Sequence, residues 1–114
     1  MYLVIIILLK EEILDDLLSI LVELGCTDAT VVESQSMEAF LASRLPIFAG
    51  LRFQLGGKNT YTKTILTVAD DKNIGENVIK LLKDMNIDFN KGMGRIIVLK
   101  IESIFGEPQL PDII

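Results

Sequence analysis

The chain has 114 residues, a net charge of −5, no histidine and one cysteine, enough for one domain with a single core. The acidic balance excludes the basic footprint of a nucleic-acid binder and disfavours anionic membrane surfaces. Lacking histidine, the chain lacks the commonest metal ligand and general base, and the lone Cys26 excludes an intramolecular disulfide or a cysteine cluster for zinc.

The hydrophobic fraction is 50% and the mean hydropathy is +0.45. A chain this short has much surface and little interior. The apolar excess therefore predicts packing against other subunits.

Residues 2–9 are a continuous apolar, mostly β-branched run. It lacks the basic start and small-residue cleavage site of a signal peptide. It is also shorter than the roughly 20 apolar residues that span a bilayer. It reads as a strand buried on both faces, and the expected location is cytoplasmic. Residues 11–24 read as a helix, with Ile13, Leu14, Leu17, Leu18, Leu21 and Leu24 on one stripe. Glu11, Glu12, Asp15 and Asp16 lie at its dipole-favoured start. Gly25 stands where a helix-ending glycine belongs. A second strand follows over about 28–34.

The interruption at residues 36–59 is too long and too apolar for a surface loop. Half of its 24 residues are apolar, and it holds Phe40, Phe48 and Phe53. Met37, Phe40, Leu41, Arg44 and Phe48 fall at helical spacing, and Ser36 can cap a short helix. Pro46 should stop that helix near Arg44. Gly56-Gly57 marks a turn.

Residues 60–69 alternate as a third strand. Asn73 is placed to cap a second long helix with Glu76 bonding back. Its stripe is Ile74, Val78, Leu81, Leu82 and Met85. A loop over 88–94 leads to a fourth strand at 95–102, and 103–114 form a tail. The order βαβ, interruption, βαβ predicts an α+β fold in one domain over 1–114. It is a ferredoxin-like βαββαβ sandwich, a four-stranded antiparallel sheet with two helices on one face and a long β2–β3 insertion.

Catalysis finds little support. Asp15-Asp16 and Asp70-Asp71 are explained as helix-start and turn residues rather than an acid–base pair. Cys26 reads as a small, semi-buried packing residue. The chain is therefore expected not to be an enzyme. The segment Lys91-Gly92-Met93-Gly94-Arg95 is the strongest binding candidate. Its glycines let backbone N–H groups turn toward an anion, and Arg95 can grip phosphate or carboxylate. Gly-x-Gly is more often only a turn, and Gly56-Gly57-Lys58 is equally explained as one.

The chain resembles the PII-type signal-transduction proteins and their PII-like relatives. The first half carries this in the apolar strand ending at Lys10, in Leu14-Asp15-Asp16, Leu24-Gly25, Thr27 and Thr30-Val31-Val32-Glu33. The second half carries it in Lys63, Val68-Ala69-Asp70-Asp71 and Gly92-Met93-Gly94-Arg95-Ile96-Ile97-Val98. Gly106-Glu107 resembles the family's C-terminal Thr-Gly-Glu. The resemblance implies a homotrimer with ligand clefts between subunits, and a β2–β3 loop that docks onto a membrane transporter, metabolic enzyme or regulator. It places Lys91, Gly92, Met93, Gly94, Arg95, Lys63 and Thr27 at the ligand and Phe40, Arg44, Phe48 and Phe53 at the partner.

The chain departs from the family pattern at three places. Ser36-Met37-Glu38-Ala39-Phe40 replaces the loop Gly-x-Gly-x-Gln. The interruption lacks the modifiable tyrosine. Ser103-Ile104-Phe105 stands where phosphate-clamping arginines are found. An adenine nucleotide is among the implied ligands, but these departures favour another small ligand, or none. The alternatives are a structural oligomeric scaffold and an ACT-like small-molecule-binding domain.

Overall fold

The computed structural model describes residues 1–44, 47 and 61–106. The order is β1 (Tyr2–Leu8), a 3-10 turn (Glu11–Ile13), α1 (Leu14–Glu23), β2 (Thr30–Gln35), α2 (Met37–Arg44), β3 (Tyr61–Ala69), α3 (Ile74–Asp84) and β4 (Gly94–Lys100). The strands form one antiparallel sheet in the order β2-β3-β1-β4. The fold is α+β, as the sequence predicts.

Side chains alternate across a strand, and β1 divides accordingly. Val4, Ile6 and Leu8 are fully buried. They form one core with Ile65 of β3, with Leu17, Ile20 and Leu21 of α1, and with Ile74, Val78 and Leu82 of α3. Both long helices thus cover the same sheet face. Each such side chain contributes about 1.5–3 kcal/mol on burial, so this layer dominates stability.

The other face carries Leu3, Ile5 and Ile7. They pair in register with Val68, Leu66 and Thr64 on one side and with Leu99, Ile97 and Arg95 on the other. None of these is buried, and Leu99 is half exposed. On the same face the Ser34 hydroxyl bridges Thr62 Oγ1 at 2.5 Å and Thr64 Oγ1 at 2.9 Å.

The two long helices end alike. After α1, Gly25 takes φ +85°, its N–H donates to Val22 O, and the Cys26 N–H donates to Leu21 O. After α3, Asn86 takes φ +64°, its N–H donates to Lys83 O, and the Ile87 N–H donates to Leu82 O. Both are Schellman stops, which satisfy the last carbonyls and require a left-handed residue. An Asn86→Ala protein should lose about 1 kcal/mol in urea-induced unfolding, while Asn86→Gly should lose none.

The structure corrects several details. Asn73 makes no side-chain cap bond. Asp71 does that work: its Oδ1 accepts from the Asn73 N–H at 2.9 Å, its carbonyl from the Ile74 N–H, and its Oδ2 from Asn77 Nδ2. Met85 follows the last residue of α3 and is 45% exposed, outside the core. Phe89, read as a loop residue, is buried in the core. The expected helix in the interruption is present as α2, with the Ser36 hydroxyl accepting from the Ala39 N–H at 3.2 Å. Phe48, Phe53, Gly56-Gly57 and residues 107–114 lie outside the described residues. Among the described residues no helix is long and apolar enough to cross a membrane.

Candidate functional site

The loop before β4 is built from its turn residues. Asp88 Oδ1 accepts from the Asn90 N–H at 3.1 Å and its carbonyl from the Lys91 N–H, the local bonding that favours Asp in turns. Gly92 then takes φ +74°. The Met93 carbonyl accepts from the Leu9 N–H at 2.9 Å, which ties the loop to the end of β1. Gly94 takes φ +152°, and a Cβ built there would stand 2.1 Å from Ile7 O. Only glycine permits that approach.

Gly94 and Arg95 thereby line a cleft of about 510 Å³ with Ile7, Leu9, Ser36, Met37 and Glu38. Register places Ile7 opposite Arg95, so the cleft opens on the helix-free face. The first turn of α2 forms its other wall. Arg95 is exposed, with no ion pair among the described residues. The cleft can hold an anionic group at Arg95 and an apolar group against Ile7, Leu9 and Met37.

The remaining candidates lie elsewhere. Lys91 is exposed and faces Asp88 Oδ2 at 3.8 Å. Met93 packs on the core. Lys63 shares the helix-covered face with Ile65, and its amine is held by Glu33 and, at 3.5 Å, by Glu11. The Glu33 hydrogen bond is the main cause that raises its pKa above the ordinary value. Lys63 therefore stays charged and ties β2, β3 and the 3-10 turn together.

Thr27 lines a second groove, of about 820 Å³, with Leu3, Asp28, Thr30, Val68 and Phe105 among its walls. It opens at the opposite end of β1. Nearby, Asp28 Oδ1 accepts from Thr67 Oγ1 at 3.1 Å. Cys26 is 3% exposed, and burial, with the Asp28 charge adding to it, raises its pKa. It is held as a thiol, the opposite of what activates a cysteine.

In α2, the Arg44 guanidinium lies 4.9 Å from the Phe40 ring centroid, within cation–π range. Phe40 is 44% and Met37 74% exposed. Among the described residues no three carboxylate or thiol groups converge as a metal site.

Sequence reasoning missed Ile7, Leu9, Ser36, Met37 and Glu38 as cleft residues. Ser36 carries a visible cap signal, but its nearness to Gly94 follows only from α2 returning over the end of β1. The fold and cleft define a small α+β domain with an arginine-edged cleft at one end of an open apolar sheet face. No protein-family model matches the chain, and comparison with curated proteins gives no match. The resemblance to PII-type proteins stands on the quoted residues alone.

Proposed function

We propose that the protein is a non-enzymatic, cytoplasmic PII-like regulator. It assembles as a homotrimer through its open sheet face, senses a small anionic molecule in a cleft between subunits, and acts on a partner protein through residues 36–59. A ferredoxin-like reading of the fold is supported by the strand order β2-β3-β1-β4 with α1 and α3 on one face. Assembly is supported by the apolar character of the opposite face. Leu3, Ile5, Ile7, Leu66, Val68, Ile97 and Leu99 form a contiguous surface of the kind that marks an interaction site.

The observation that carries the sensing role is the cleft itself. Arg95, the glycine-bounded turn and the first turn of α2 converge there. The same helix carries Phe40 and Arg44, which belong to the segment proposed to meet a partner. The cleft thus touches both the sheet end and the docking element.

A thermal-shift screen with inorganic phosphate, ATP, AMP, citrate and 2-oxoglutarate tests the ligand. At least one should raise the melting temperature by several degrees through preferential binding to the folded state. The shift should vanish in Arg95→Ala, whose own melting temperature should stay close to that of the parent because Arg95 is exposed. If none of these compounds shifts melting, or if Arg95→Ala shifts equally, the sensing role is wrong.

A further inference from the structure

The cleft beside Gly94 carries charge of both signs. Arg95 and Glu38 are the charged members of its described lining. Arg95 stands at the start of β4 and Glu38 in the first turn of α2. Both are exposed. They edge one cleft, yet no ion pair joins them, and neither has another among the described residues.

Each charge is placed by its own element. Gly94 lies against Ile7 O, where a Cβ has no room, and this holds Arg95 at the end of β1. On the facing wall, the Ser36 hydroxyl accepts from the Ala39 N–H and the Ser36 carbonyl from the Phe40 N–H. These bonds fix the turn that carries Glu38. The remaining wall is largely apolar. Ile7, Leu9 and Met37 line it, with Leu9 50% and Met37 74% exposed.

A plain anion suits only part of this site. It is attracted by Arg95, is repelled by Glu38 and leaves the apolar wall in water. A plain amine has the reverse fault. Unpaired and like charges of this kind discriminate between ligands as strongly as attractive contacts do. A molecule with a carboxylate, an ammonium group and an apolar side chain satisfies all three parts at once.

We infer that the cleft takes an apolar α-amino acid of about the size of leucine. Its carboxylate meets Arg95, its ammonium group meets Glu38, and its side chain covers Ile7, Leu9 and Met37. The cleft volume of about 510 Å³ falls within the range of small-molecule sites. This rests on the sensing role proposed above and narrows its ligand, because the anionic group becomes a carboxylate with a cationic neighbour on the same molecule. Carboxylates without the ammonium group, citrate among them, bind through Arg95 alone and more weakly.

Isothermal titration calorimetry with L-leucine and its partial analogues tests this. Isocaproate lacks the ammonium group, isoamylamine lacks the carboxylate, and glycine lacks the side chain. Leucine should bind about tenfold or more tightly than each of them, as the loss of a contact to a charged group implies. Glu38→Gln keeps the shape of the side chain and removes its charge at an exposed site. It should bring leucine down to the affinity of isocaproate and leave isocaproate bound as well as before or better. Arg95→Ala should remove both.

If leucine binds no more tightly than isocaproate, or if Glu38→Gln leaves its affinity unchanged, this inference is overturned. The sensing role survives that result if phosphate, citrate or another anion still raises the melting temperature in an Arg95-dependent way. If neither leucine nor any anion binds, both readings fall together.

Discussion

Replacing Gly94 by alanine should cost about 3 kcal/mol or more of unfolding free energy, read as a lower urea midpoint. Two causes add. The backbone at φ +152° is a region that side chains rarely enter, at a cost of order 1–3 kcal/mol. The new methyl would also meet Ile7 O at 2.1 Å and Leu8 Cα at 3.2 Å. Both obstacles are backbone in β1, which is held between β3 and β4 and cannot yield alone. Relief requires opening the Leu8–Gly94 pair, and with it the Leu9–Met93 hydrogen bond and the cleft floor. Gly92→Ala is the control. Its φ is +74° and nothing stands within 4 Å, so it should cost about 1–2 kcal/mol. Equal losses at the two positions would show that the contact with Ile7 does not govern the turn.

Ile5 and Ile6 give the second large contrast, because adjacent strand residues face opposite ways. Ile6 is fully buried under both helices. Ile6→Ala should cost about 2–5 kcal/mol, by the same amount at every protein concentration. Ile5 lies on the open face between Leu66 and Ile97. Ile5→Ala should scarcely change the isolated subunit. It should instead weaken assembly, seen as a melting temperature that falls and depends more steeply on concentration. Sedimentation separates the two. If Ile5→Ala leaves the oligomer intact at low concentration, that face is not the subunit contact.

The sequence was most legible where one residue type has one physical use. Gly25 ends α1 because a left-handed position follows Leu24, and Ser36 caps α2 because its hydroxyl reaches the Ala39 N–H. The strand-helix-strand order followed from period-two and period-3.6 runs, and it led to the correct sheet. Asn73 misled because Asp71, two residues earlier, can bond the same turn from either carboxylate oxygen, and sequence alone does not rank the two. Phe89 misled because a loop aromatic can point in or out.

The site was half legible. Gly94 and Arg95 stood out as a turn with positive charge. Lys63 stood out equally, but Glu33 on the neighbouring strand and Glu11 in the preceding turn claim its amine. That pairing depends on strand register, which one sequence does not display. Thr27 fell into a second groove for a similar reason, since it lies at the opposite end of β1.

The seating of α2 has a mechanical consequence. The helix is clamped at its start, with Ser36 one residue beyond β2 and capping its first turn. Its eight residues span about 12 Å at 1.5 Å per residue. It is a short lever with its fulcrum at the cleft. A tilt of about 10° imposed near Met37 and Glu38 would swing Arg44 by about 2 Å, enough to make or break a hydrogen bond. A sub-ångström adjustment around a bound anion would thus be read out as a larger movement at the far tip.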